Sequence, residues 1–252
     1  MSRPDRLSDI RRLEELAFRG WPALESRDFA GWRQRFSRGY TKRANSINAL
    51  SLDARQEPEI ISALEAPYIA LGQTPAWRLT PLAPPAIAPL LSARGYRTIE
   101  QSLVQVCPLH AGFTADPEVT ILLGPTPAWI DAFRTHSPVP PQHGETMQRM
   151  LAAIAAPAGF ALVEEAGRPM AMAIGAIEGD HMGLFDVLVM PHARRRGLAR
   201  RITESLCAWA WGNGVRFAYL QVVATNMAAL PLYEAQGFRT AYAYKYVVPP
   251  PP

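Results

Sequence analysis

Only two cysteines occur in the 252 residues, Cys107 and Cys207. That is too few for a disulfide framework, and no Cys/His spacing points to a metal site. Both are expected as small buried apolar side chains. No apolar run approaches the ~20 residues that a membrane-spanning helix needs, and the charged opening MSRPDRLSDIRRLEEL lacks the apolar core of a secretory leader. A cytoplasmic protein with no membrane partner is the expectation. An excess of one charge is missing too: the net charge of +4 divides into +3 over residues 1–117 and +1 over the rest. That argues against nucleic acid as a partner, which would want a broad basic face. Charged residues make up 19% and hydrophobic residues 48%, the balance of a folded globular chain.

What is present divides in two. A length of 252 residues exceeds one ordinary domain of roughly 100–200 residues. In the first half, a helix is expected over residues 7–18, followed by strands over 29–36 and 40–50 joined through Ser37-Arg38-Gly39 as a hairpin. Helices over 57–65 and 85–93 and strands over 75–80 and 96–106 follow. After a Pro- and Gly-punctuated linker over 108–117, strands are expected over 118–123, 160–165, 170–177, 184–190 and 216–223. Helices are expected over 129–135, 145–155, 198–210 and 227–236. The final VVPPPP is expected to stay outside any sheet as a loose tail. Two segments match at an offset of 142: APLLSARGYRT at 88–98 and LPLYEAQGFRT at 230–240 agree at six of eleven positions. The chain therefore reads as two copies of one architecture.

The stretch from Met182 to Trp211 organises the second copy. A short apolar, partly β-branched run (Leu184, Val187, Leu188, Val189, Met190) ends at Pro191, and the turn RRRGLAR leads into a helix marked by Leu198, Ile202 and Leu206. A glycine turn at a helix N-terminus offers unpaired N–H groups and a positive dipole end to phosphate. Five arginines in the eight residues 194–201 read equally as a solvated basic face or a local nucleic-acid patch. The next block, a strand over 216–223, then Asn226, then Leu232-Tyr233 and Gly237-Phe238, favours the phosphate cradle over both.

Arg-x-x-Gly-x-Ala at 194–199, followed in order by Asn226, Leu232-Tyr233 and Gly237-Phe238, resembles the GNAT family of N-acetyltransferases. The resemblance spans residues 118–248. It implies an α/β fold, a mixed sheet of the acyl-CoA N-acyltransferase type, here as two tandem GNAT-like units with residues 1–110 as a degenerate unit and 111–252 as the catalytic one. In the first unit the segment SLDARQE has no glycine for a cradle, and Leu91 stands where Tyr233 stands in the second. Its expected job is to pack against the active unit and wall its cleft.

The resemblance implies acetyl-CoA as co-substrate and no metal. Main-chain groups of Val187, Leu188 and Val189 would hold the pantetheine arm, and Arg194, Arg195, Arg196, Gly197, Leu198, Ala199 and Arg200 the pyrophosphate. Asn226 would bond the arm or the strand edge, and as a residue type it also suits an N-cap. Tyr233, a phenol of reference pKa about 10, would be the general acid for the departing thiolate. Acceptor contacts are expected at Trp129, Phe133, His143 and Met147. The base is unassigned: the positions of the central strand that sometimes carry it are Gly183 and Phe185, strand alternation puts Asp186 on the opposite face, and Glu178 and His181 read as solvated turn residues. The expected enzyme moves an acetyl group to a primary amine of a small or amino-acid-like acceptor. The alternatives are a non-catalytic acyl-CoA-binding or regulatory module, or transfer to a protein N-terminus or lysine; a homodimer is left open.

Overall fold

Apolar alternation along the strands and helical spacing between them build a single mixed sheet flanked by helices. The computed structural model describes residues 3–137, 140–154 and 157–250. In chain order the first half holds α1 (Arg3–Gly20), β1 (Glu25–Phe29), β2 (Trp32–Phe36), β3 (Ile47–Ala49), α2 (Pro58–Ala70), β4 (Trp77–Leu79), α3 (Ile87–Ala93) and β5 (Arg97–Pro108). The second holds β6 (Val119–Leu122), α4 (Pro127–His136), α5 (Gly144–Ala152), β7 (Ala158–Glu165), β8 (Arg168–Glu178), β9 (His181–Val189), α6 (Leu198–Gly212), β10 (Phe217–Val223), α7 (Leu230–Ala235) and β11 (Arg239–Val248).

The sheet order is β1-β2-β3-β4-β11-β5-β10-β9-β8-β7-β6. Every neighbouring pair is antiparallel except β3 with β4 and β9 with β10. The last strands of the halves are exchanged: β11 lies between β4 and β5, and β5 lies between β11 and β10. Each half therefore completes the other's sheet.

Cores follow the same exchange. The larger core joins Ile10, Leu13 and Leu16 of α1 to the second half's Phe160, Ile174, Phe185, Leu206 and Phe238. The smaller gathers Trp32, Ile47, Ile61, Tyr68, Trp77 and Leu91 around Val247 of β11. Helix α6 lies over β6 to β9, close enough that a Cβ on Gly175 would stand 3.1 Å from Leu206. The loop between β5 and β6 is tied to α6 by Arg201, whose guanidinium bonds Asp116 at 2.6 Å.

The 142-residue repeat has a structural counterpart. At the end of α3 the N–H of Tyr96 donates to the Leu91 carbonyl at 3.1 Å, and at the end of α7 Phe238 does the same to Tyr233 at 3.0 Å. In each turn the intervening glycine, Gly95 or Gly237, is left-handed with φ of 80° or 91°. A side chain there would be strained, so the matched glycines mark matched helix ends.

Four boundaries differ from expectation. The expected antiparallel pair is present as β2 with β3, Trp32 opposite Ala49, but residues 37–46 between them form a loop with a short 3₁₀ turn at Lys42–Ala44, and a further hairpin, β1 to β2, turns at Ala30-Gly31. Strand β1, ESRDF, is exposed throughout and carries no apolar alternation to reveal it. Helix α2 continues through Pro67 to Ala70; the carbonyl four residues back, which loses its helical donor, belongs to the exposed Ala63 and is not sealed in the core. Helix α7 starts only at Leu230, after a capping turn. Val247 and Val248 are not a loose tail: they pair with Thr98 and Arg97 in β5, and Pro251 and Pro252 lie outside the described residues. Ala155 at the expected end of α5 also lies outside them, as do Pro138 and Val139. No helix of the described residues is long and apolar enough to cross a membrane.

Candidate active site

Strands β9 and β10 pair in parallel only from His181 with Phe217 to Leu184 with Leu220. Beyond Leu184 they separate, and β9 runs on to Val189 with its edge toward the gap unpaired by β10. An extra residue in β9 drives this: two steps along β8, from Met172 to Ile174, are matched by three along β9, from Leu188 to Phe185. Asp186 sits in that bulge with φ of 47°. The bulge breaks alternation, so Asp186 does not point away from the site as expected; it lines the cleft and bonds Arg43 Nη2 at 2.6 Å.

The gap opens into a cleft of about 1210 Å³. Its inner wall is the β9 and β10 edges, Asp186 to Val189 and Leu220 to Val223. Beside them is the start of α6. Gly197, left-handed with φ of 75°, is its N-cap and has no capping side chain; the first main-chain bond back to Gly197 comes from Arg201. The N–H groups of Leu198, Ala199 and Arg200 therefore precede the helical ladder and face the dipole's positive end. A Cβ on Gly197 would meet no protein atom within 4 Å. Its backbone angle, not neighbouring protein, demands glycine, and the space above it is open to a ligand.

The arginines divide. Arg194, Arg195 and Arg200 line the cleft. Arg196 does not; it is drawn off to Glu165, with Nη1 to Oε2 at 3.1 Å. Val187, Leu188, Val189, Leu198, Ala199, Asn226 and Tyr233 all line the same cleft. Asn226 also caps the turn before α7, its Oδ1 accepting the N–H of Ala229 at 3.1 Å. Tyr233 is 7% exposed and edge-on to Phe238, and burial pushes its hydroxyl pKa up to about 12. It therefore keeps its proton across the neutral range.

The acceptor candidates fare unevenly. Phe133 and His143 line the cleft. Trp129 is fully buried with Nε1 donating to the Ala161 carbonyl at 3.2 Å, and Met147 is fully buried as well; both are core. Glu178 accepts from Arg19 at 2.6 Å, and His181 is buried with Nδ1 at 2.7 Å from Asp180. Neither lines the cleft. Gly183 and Phe185 pack toward Tyr219 beneath α1. Among the described residues no group of three metal-ligating side chains is placed to hold an ion.

The outer wall comes from elsewhere. Tyr40, Thr41, Lys42, Arg43, Glu100 and Ser102 of the first half, with Tyr244 and Tyr246 of β11, complete the cleft. The tyrosines carried a legible signal, since Tyr242, Tyr244 and Tyr246 alternate in sequence and so share one strand face. Residues 40–43 carried none, because their position depends on the strand exchange.

Comparison with known proteins agrees with this geometry. Residues 7–247 match the family described as "Probable histone acetyltransferase Rv0428c C-terminal". The uncharacterized N-acetyltransferase YobR of Bacillus subtilis is 25% identical over 247 residues, 95% of this chain and 98% of that protein. The ribosomal protein bS18 alanine N-acetyltransferase of Escherichia coli is 39% identical over 75 residues, 30% of this chain and 51% of that enzyme. In fold, a GCN5-related N-acetyltransferase from Kribbella flavida superposes with TM-score 0.67 over 96% of both chains at 14% identity. A tandem GNAT protein from the clavulanic acid biosynthesis pathway superposes with TM-score 0.61 over 94% of this chain and 86% of its own at 12% identity. The chain thus belongs to the Rv0428c C-terminal family and is a GNAT-fold, acyl-CoA-dependent N-acetyltransferase.

Proposed function

We propose that the enzyme moves an acetyl group from acetyl-CoA to a primary amine of a small or amino-acid-like acceptor by direct transfer, with Tyr233 as the general acid. One juxtaposition carries the reading: an uncapped helix start, an unpaired strand edge at a bulge and a buried, protonated phenol face the same cleft. The residues present suit the co-substrate. The open space over Gly197, the free N–H groups of α6 and the three cleft-lining arginines match a pyrophosphate. The edge of Val187 to Val189 offers main-chain partners to an extended amide-bearing arm.

When bound, acetyl-CoA supplies an acyl group activated as a thioester. The chain's part is to fix that arm on β9, exclude water with the first-half wall, and present a proton at Tyr233 Oη for the departing sulfur. Retention of a protonated Tyr233 speaks against a non-catalytic binding module. A second reading, transfer to the N-terminal α-amine of a protein, takes support from the resemblance to the bS18 alanine enzyme; it needs the same cleft with an acceptor that extends out of its mouth.

Calorimetric titration of acetyl-CoA into the intact protein tests the first step, with about one site per chain expected. Gly197→Glu places a carboxylate over the helix start and should abolish it. Tyr233→Phe should lower kcat by about 10²-fold, within the range for a positioned acid, while leaving acetyl-CoA affinity within twofold. Unchanged turnover would remove Tyr233 from the chemistry.

A further inference from the structure

The first-half loop at the cleft is held in a costly shape. Arg38, Gly39 and Thr41 have φ of 50°, 81° and 54°, and a β-branched residue such as Thr41 is an outlier in that region. Asn45 pins the loop through its side chain. Oδ1 accepts the N–H groups of Ser37 at 2.7 Å and Gly39 at 3.0 Å, and Nδ2 donates to the carbonyls of Tyr40 at 2.6 Å and Thr41 at 2.9 Å. Trp21 Nε1 adds a bond to Thr41 Oγ1 at 3.2 Å. Strain kept in place by this many contacts marks a segment whose conformation matters to function.

What the loop delivers is charge. Lys42 Nζ stands 3.0 Å from Glu100, and Arg43 Nη2 stands 2.6 Å from Asp186; all four residues line the cleft. Arg43 is fixed, its guanidinium 4.8 Å from the Trp21 ring and 5.8 Å from that of Phe185. Lys42 is freer: its side chain is 43% exposed, and its ammonium has three donors, of which Glu100 takes one.

Resting on the acetyltransfer reading above, we infer that the first half is the acceptor-recognition unit and that the acceptor is an amine bearing a carboxylate, a free α-amino acid or close relative, with Lys42 reading the carboxylate. The charge balance decides between classes. Apart from Arg194, Arg195 and Arg200, which the acetyltransfer reading gives to the pyrophosphate, the cleft's two cations and two carboxylates sum to zero, which suits a zwitterion that inserts its own ammonium and carboxylate among them. A polyamine or a lysine-rich tail would call for a net negative wall, and a nucleotide for a net positive one. Phe133, Tyr40 and Tyr246 supply apolar surface for the acceptor's side chain.

The test uses the intact enzyme, acetyl-CoA and a panel of α-amino acids, the corresponding α-carboxamides, alanine-led dipeptides and the polyamines putrescine and spermidine, with coenzyme A release as readout. At least one amino acid should be acetylated with a kcat/KM tenfold or more above its carboxamide and above the polyamines. In Lys42→Met that preference should fall to within about twofold through a higher acceptor KM, with acetyl-CoA affinity by calorimetry unchanged; Lys42→Arg should restore much of it. Acetyl-CoA binding with no amino acid acetylated, with carboxamides, dipeptides or polyamines preferred, or with the preference intact in Lys42→Met, overturns this inference alone. Absence of acetyl-CoA binding by the intact protein overturns the acetyltransfer reading and this one with it.

Discussion

Asn45 is a side chain whose contribution is out of proportion to its size. Buried and saturated by four hydrogen bonds to the backbone of residues 37–41, it offsets three left-handed residues in a row of four. Asn45→Ala leaves the N–H groups of Ser37 and Gly39 and the Tyr40 carbonyl without their partner, while the Thr41 carbonyl keeps the N–H of Ala44. At about 1 kcal/mol or more per orphaned buried group, the cost should be roughly 2–4 kcal/mol, a fall in Tm of roughly 5–15 °C for a chain of this length. Calorimetry of the variant measures it, and a change below 1 kcal/mol would mean that water replaces the side chain. Nothing in the string NSIN announces this role, because it depends on a loop conformation that propensity does not encode. Tyr233 and Gly197 were legible for the opposite reason: each belongs to a local strand–turn–helix pattern. Asp186 was misread, since alternation assumes a regular strand and a bulge reverses it.

The two halves repeat their elements down to the turns. Strands β1 and β2 join through Ala30-Gly31 with φ of 53° and 84°, and β7 and β8 through Ala166-Gly167 with φ of 49° and 72°. Both are two-residue hairpins with positive φ at each central position, the geometry that Asn-Gly satisfies best. Alanine pays there in steric strain against its Cβ. Ala166→Asn should therefore stabilise the protein by about 0.5–1 kcal/mol, a rise in Tm of roughly 1–4 °C; a scanning calorimetry comparison with Ala30→Asn should show a like gain in the other half, and a loss in both would contradict the turn assignment. Elements of the second half were readable in sequence because β7, β8 and α6 are long and periodic. In the first half β1 has no apolar face, β3 and β4 are three residues each, and α2 crosses a proline. Pattern has little to act on in such segments, so β1 goes unread and the strand expected over 40–50 shrinks to Ile47–Ala49, though its antiparallel pairing with β2 holds.

Strand exchange ties the whole molecule into one folding unit. The carboxylate of Glu14 in α1 is buried and accepts bonds from Arg78 of β4 and from the Tyr242 hydroxyl of β11, so the chain's start, middle and end share one polar contact. Buried phenols report on that unity. Burial raises the pKa of Tyr40, Tyr68, Tyr219, Tyr233, Tyr242 and Tyr246 above the ordinary tyrosine value. Below about pH 10 native and unfolded chains hold these protons alike, and the stability is fully present. Above it the unfolded chain releases protons that the native chain keeps, so the native state binds more protons and stability falls as pH rises. Each such tyrosine costs about 1.4 kcal/mol per pH unit, and six together remove about 8. Against a net stability of roughly 5–15 kcal/mol, unfolding should fall between about pH 10.5 and 12. Tyr68 lies in the smaller core and Tyr219, Tyr233 and Tyr242 in the larger, so tyrosinate absorbance and far-UV circular dichroism should move together in one transition. Two separated transitions would show that the halves unfold independently despite their exchanged strands, whereas a single one means that the first-half wall of the cleft unfolds together with the second-half residues that face it.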